Sequence, residues 1–168
     1  MPIKIKTPPI KPIDRKFRIC AVVLMGLSAV FMTNIFSLIK TVTETGGKTA
    51  SSILFISYIL YFGGCVTAFV FGINSYRKED NFALLFQGIC LLVPIIACIM
   101  NMRFAFIMIL SSFGFENMAS SLKGSQTYSQ FIDTQYKNWI ILAVGIVVSF
   151  VVGIVASVKL IKNKSHKR

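Results

Sequence analysis

The residues of this chain that could do chemistry are few and scattered. Its one histidine, His166, stands in a basic run with no second ligand beside it, so neither a metal site nor a nucleophile–base pair can be built around it. The six carboxylates, Asp14, Glu44, Glu79, Asp80, Glu116 and Asp133, fall in segments expected to be loops. No two of them share an apolar stretch in which they could relay a proton or bind a cation. Cys20, Cys65, Cys90 and Cys98 all sit within apolar stretches, which excludes a disulfide-stapled external domain. No phosphate-cradling glycine loop, CxxC pair or HExxH occurs. The expectation is a protein that is not an enzyme and holds neither metal nor cofactor.

Two constellations carry more information. The first is polar: Asn34, Tyr58, Tyr61, Asn101 and Arg103 lie at positions that alternating chain direction brings to similar depth, with Gln87 on the other side of Pro94. Polar side chains in a hydrocarbon medium seek partners, so Arg103 is expected to bond Asn34 or a tyrosine hydroxyl. The same groups are the candidates for a ligand site or a pore lining. The second is a pair of small-residue stripes. Gly145, Ser149, Gly153 and Ser157 recur every four residues, as do Gly64, Ala68 and Gly72. Helices in lipid associate where small residues let backbones approach, so these stripes are expected to pack helices within the chain or against a partner. The two stripe-bearing segments run in the same direction and are expected to pair parallel.

The elements that must position these groups follow from composition. Of 168 residues 55% are hydrophobic and only 14% are charged, against about 25% charged in an ordinary soluble domain. The apolar residues form four blocks, residues 17–39, 53–75, 82–100 and 139–158. Each is close to the roughly 20 residues that cross a bilayer as an α-helix. The first is too long, and too poor in small residues at its end, for a cleaved signal peptide. The expected fold is an all-α membrane protein, a four-transmembrane-helix bundle.

Charge sets the expected orientation. With both termini cytoplasmic, 13 of the 18 basic residues fall on the cytoplasmic side, as retention of Lys and Arg on that side requires. The net charge of +12 then places +10 inside and +2 outside. This asymmetry accounts for the basicity without nucleic acid and provides cations for anionic headgroups at the cytoplasmic face. Residues 1–16, with Pro2, Pro8, Pro9 and Pro12, read as a non-helical basic tail carrying a minimal PxxP, and residues 159–168 as a second basic tail.

Residues 101–138 form the longest connection, outside the membrane. A single helix from Phe82 to Ser112 would be about 46 Å long, half again the hydrocarbon thickness. The third helix is therefore expected to end near Asn101, with Phe104 to Phe115 lying along the interface. Pro94 should kink it. The layout resembles that of several unrelated tetraspan families, MARVEL-type proteins among them, and departs from tetraspanins and claudins in having no outer cysteines. The expected function is lateral helix association in a plasma or cell membrane, as an accessory subunit, assembly factor or membrane organiser. The partner would be another membrane protein or a second copy; a small oligomeric transporter or channel is the alternative.

Overall fold

With no water in a bilayer to satisfy backbone N–H and C=O groups, an apolar chain must bond them internally, and the described residues do so mostly as helix. The structure, a computed structural model, describes residues 12–45, 47–79 and 81–165. The six helices are α1 (Pro12–Thr45), α2 (Lys48–Glu79), α3 (Phe82–Cys90), α4 (Leu92–Ser112), α5 (Glu116–Lys123) and α6 (Tyr128–Ser165). Four apolar segments are long enough to span a membrane: α1, α2, α3 with α4, and α6. They pack up-down-up-down. α1 neighbours α2 and α6, and α4 completes the ring between α2 and α6.

The spacing of buried residues explains that packing. The core positions of α2 are Ser51, Leu54, Tyr58, Tyr61, Cys65, Ala68, Gly72 and Ser75. Those of α1 include Phe17, Ala21, Leu24, Ser28, Phe31, Ile35 and Val42, and those of α6 Phe131, Gln135, Leu142, Gly145, Ser149, Val152 and Ala156. Steps of three and four alternate, averaging about 3.5 residues, the repeat that keeps one seam facing a neighbour along a left-handed bundle. The intervening Val, Ile, Leu and Phe residues point outward, with Val30, Ile56, Leu60, Ile99 and Val158 all more than half exposed.

The third segment breaks where Pro94 lacks the N–H that would bond Cys90 O. α3 ends at Cys90, Leu91 N–H bonds Gly88 O at 3.1 Å, and α4 restarts at Leu92.

Several expectations are corrected. α4 does not stop near Asn101. It continues to Ser112 because Phe104, Ala105, Ile107 and Met108 are buried in a bundle whose other helices are equally long. Gly114, at φ +84°, then closes a Schellman cap, with Phe115 N–H on Leu110 O at 3.0 Å and Gly114 N–H on Ser111 O at 3.2 Å. The connection 101–138 is mostly helical: the end of α4, then α5, then the first turns of α6 around buried Phe131. The expected non-helical tail already turns helical at Pro12, whose fixed φ suits a helix start. Residues 1–11, including Pro9 of the PxxP, lie outside the described residues, as do Asp80 and His166. The carboxylates expected in loops, apart from Asp80, lie within helices; Asp14 is buried and pairs with Arg18 at 2.8 Å.

Close approach between helices is most severe at α6. A Cβ added to Gly153 would lie 2.8 Å from Ala21 O and 3.1 Å from Met25 Cα, both backbone atoms of α1. One added at Gly26 or Gly63 would meet nothing within 4 Å. Gly153→Ala should therefore cost about 1–3 kcal/mol through overpacking, while Gly26→Ala and Gly63→Ala leave stability unchanged or raised. Thermal unfolding of the three variants in one detergent checks this ranking.

Candidate functional site

The small residues of both stripes turn into the bundle. Gly145 lies against Pro94 of α4, to whose Cα an added Cβ would come within 2.9 Å, so the helix break and the glycine fit one another. Gly153 faces α1, and Ser157 Oγ–H reaches Met25 Sδ at 3.9 Å. On α2, Gly64 abuts Leu24 and Leu27 of α1, Ala68 is fully buried, and Gly72 lies between Phe17 of α1 and Gly88 of α3. The two stripes do not meet. α2 and α6 are parallel, as expected, but they stand diagonally across the bundle. The reason is rotation: each four-residue step advances a helix face by about 40°, so a long stripe sweeps from one neighbour to the next.

The diagonal is bridged at one buried point. Tyr61 of α2 and Ser149 of α6 are 2.7 Å apart through their hydroxyls, and Ser149 is 2.8 Å from the hydroxyl of Ser28 in α1. Ser28 Oγ–H donates to Leu24 O at 2.7 Å. A chain running Tyr61 to Ser149 to Ser28 to the Leu24 carbonyl satisfies every hydroxyl. The Phe31 ring stacks on Tyr61 at 4.7 Å and meets Tyr58 edge-on at 5.5 Å. Ser28 was not among the sequence candidates. Its signal was present, since it is the one polar residue on the seven-residue repeat joining Ala21 to Ile35.

The remaining polar candidates separate. Asn101 is fully buried and its Nδ2 donates to Ala97 O and to Asn138 O, both at 2.8 Å, tying α4 to α6. Its Oδ1, Tyr58 Oη and Trp139 Nε1 are buried without a hydrogen-bond partner among the described residues. Arg103 bonds neither Asn34 nor a tyrosine. Its Nε donates to Leu122 O at 3.1 Å and Nη2 donates to the same oxygen, fastening α5 to α4. Asn34 is exposed on α1, its Nδ2 donating to Val30 O at 2.9 Å and Thr33 Oγ1 at 3.1 Å. The expected clasp fails because α1 and α4 lie across the other diagonal. Gln87 is buried on α3 and lines a groove against Val148 and Val152 of α6.

Two grooves open on the bundle's flanks in this region. One, of about 400 Å³, runs between α1 and α2 past Asn34 and Ser57. The other, of about 480 Å³, lies between α2 and α4 beside Arg103 and Leu122. Among the described residues no group of three His, Cys, Asp or Glu side chains gathers to hold a metal. The arrangement is that of an all-helical protein with four segments able to span a membrane, a few interhelical hydrogen bonds inside and grooves on its flanks. No family model, curated protein or solved structure matches the chain.

Tyr61→Phe and Ser149→Ala should each destabilise the fold. In a double-mutant cycle the pair should show a coupling of about 0.5–1.5 kcal/mol, typical of hydrogen bonds between membrane helices. Unfolding of the four proteins in detergent with a denaturing surfactant measures it. Strict additivity would mean that the bond across the diagonal contributes nothing.

Proposed function

We propose that this chain is a non-enzymatic multi-pass membrane protein, with both termini cytoplasmic, that acts by lateral association as an accessory subunit, assembly factor or membrane organiser. The observation that carries this reading is Asn34. It is exposed on α1 and, with Leu27, Val30 and Leu38, lines the apolar groove between α1 and α2. Its Nδ2 bonds within α1, to Val30 O and Thr33 Oγ1, so it is the amide oxygen that is costly to leave in hydrocarbon, and a second helix is the partner that supplies a donor there. The stripes on α2 and α6 are occupied by the chain's own helices, so the contact surface falls to the α1–α2 groove. Termini inside follows from the concentration of Lys and Arg at that end of the bundle, where these cations also favour anionic headgroups. The plasma or cell membrane is the location we favour.

A small oligomeric transporter or channel is the second reading, favoured by the helix break at Leu91 next to Gln87 in the α3–α6 groove. Phe31, Tyr61, Cys65 and Ile146 fill the interior of a single bundle, so such a path would run between copies.

Asn34→Leu should lower the assembled fraction in mild detergent, with the association constant falling about tenfold if one interhelical amide bond is lost. Native mass spectrometry and co-purification read this directly. An unchanged assembly places the contact elsewhere, and a strictly monomeric, partner-free wild type sinks the association reading. Solute flux from reconstituted liposomes would favour the transporter.

A further inference from the structure

The α2–α4 groove is lined by a cation, Arg103, with no carboxylate beside it. We propose that it binds one anionic phospholipid, with an acyl chain between α2 and α4 and the phosphate on Arg103. This does not rest on lateral association.

The walls are apolar: Phe55 and Ile59 from α2, Met102 and Phe106 from α4, and Leu122 from α5. Ile59 is 49% exposed and Phe106 is 41% exposed, so the groove opens towards the hydrocarbon. Arg103 is exposed within this lining, level with Tyr58 across the α2–α4 contact. Its guanidinium is oriented from one side only, because Nε and Nη2 both donate to the Leu122 carbonyl. Nη1 and the second Nη2 hydrogen remain to donate.

Among the described residues no carboxylate pairs with it. The ion pairs among the described residues are Asp14–Arg18 and Lys40–Glu44. The acid of α5, Glu116, opens that helix and lines a separate cleft with Lys123. A fixed, unpaired guanidinium beside an apolar channel complements a molecule that is anionic at one end and hydrocarbon at the other. The planar fork suits phosphate oxygens in particular. α5 folds back along α4 and brings the Leu122 carbonyl to the level of Arg103, so this short helix orients the head site.

Native mass spectrometry tests the proposal on the full-length protein, delipidated in mild detergent. The probe is an equimolar mixture of dioleoyl phosphatidylglycerol and dioleoyl phosphatidylcholine. Wild type should retain one phosphatidylglycerol with about tenfold preference, the scale of a charge-assisted hydrogen bond. Arg103→Gln should abolish the preference and Arg103→Lys should keep part of it. Ile59→Trp, which fills the groove from its exposed wall, should lose the adduct while leaving thermal unfolding unchanged. This second variant keeps the test decisive if Arg103→Gln loosens α5. Excess glycerol phosphate should not displace the lipid. Equal retention of the two lipids, an adduct unaffected by Ile59→Trp, or displacement by glycerol phosphate alone would overturn the proposal.

Discussion

Backbone contact between α6 and its two neighbours is the constraint on which the rest of the structure depends. In lipid there is no hydrophobic force to press helices together, so the stability of the bundle must come from packing density and from a few interhelical hydrogen bonds. Gly145 and Gly153 let α6 touch α4 and α1 at backbone distance. Only with that proximity does Ser149, halfway between them, reach Ser28 and Tyr61 at 2.7–2.8 Å. The polar bridge is thus a consequence of the glycines. It also favours one register, because a slip of one position along α6 would take Ser149 away from the buried Tyr61 hydroxyl, whereas Ser28 and Ser149 keep the carbonyls of their own helices.

The α3–α4 break belongs to the same arrangement. A proline inside a membrane helix ordinarily exposes a carbonyl and bends the axis. Here Pro94 faces Gly145, and its backbone lies against the bare face of α6. Gly72 and Gly88 perform a similar fit between α2 and α3, the Gly88 Cα lying 3.3 Å from where a Gly72 Cβ would stand. Two breaks in side-chain bulk, one on each side of the interrupted helix, hold it at a fixed angle.

Level along the bundle axis was legible from the sequence and azimuth was not. Apolar blocks and chain reversal placed Asn34, Tyr58 and Arg103 at one level, which the α1–α2 and α2–α4 contacts reproduce. Whether they could touch depended on which helices are neighbours, and nothing in four similar apolar blocks specifies the ring order. The clasp between Asn34 and Arg103 and the parallel pairing of the stripes were both azimuthal inferences. The far end of the bundle misled for another reason. Polar residues between Glu116 and Lys137 hid the spacing of Ala119, Phe131 and Gln135, whose burial makes that connection helical. Length arguments based on hydrocarbon thickness hold only for the lipid-covered part of a helix, and these helices pack against one another beyond it.

These distinctions narrow where function can reside. Inside the bundle, the Tyr61–Ser149–Ser28 chain ends on a backbone carbonyl and the Asn101 Nδ2 joins α4 to α6, so these interior groups are committed to the fold. On the flanks, two polar groups at the same level are left facing outward on opposite sides of α2, a neutral amide on α1 and a cation on α4. An amide is satisfied by another helix's hydrogen-bonding groups, whereas a guanidinium beside an apolar groove is satisfied by phosphate. The two flanks therefore select different neighbours by chemistry alone. On the proposed reading the α1 flank takes a helix and the α4 flank a lipid, each matched to the polar group it faces.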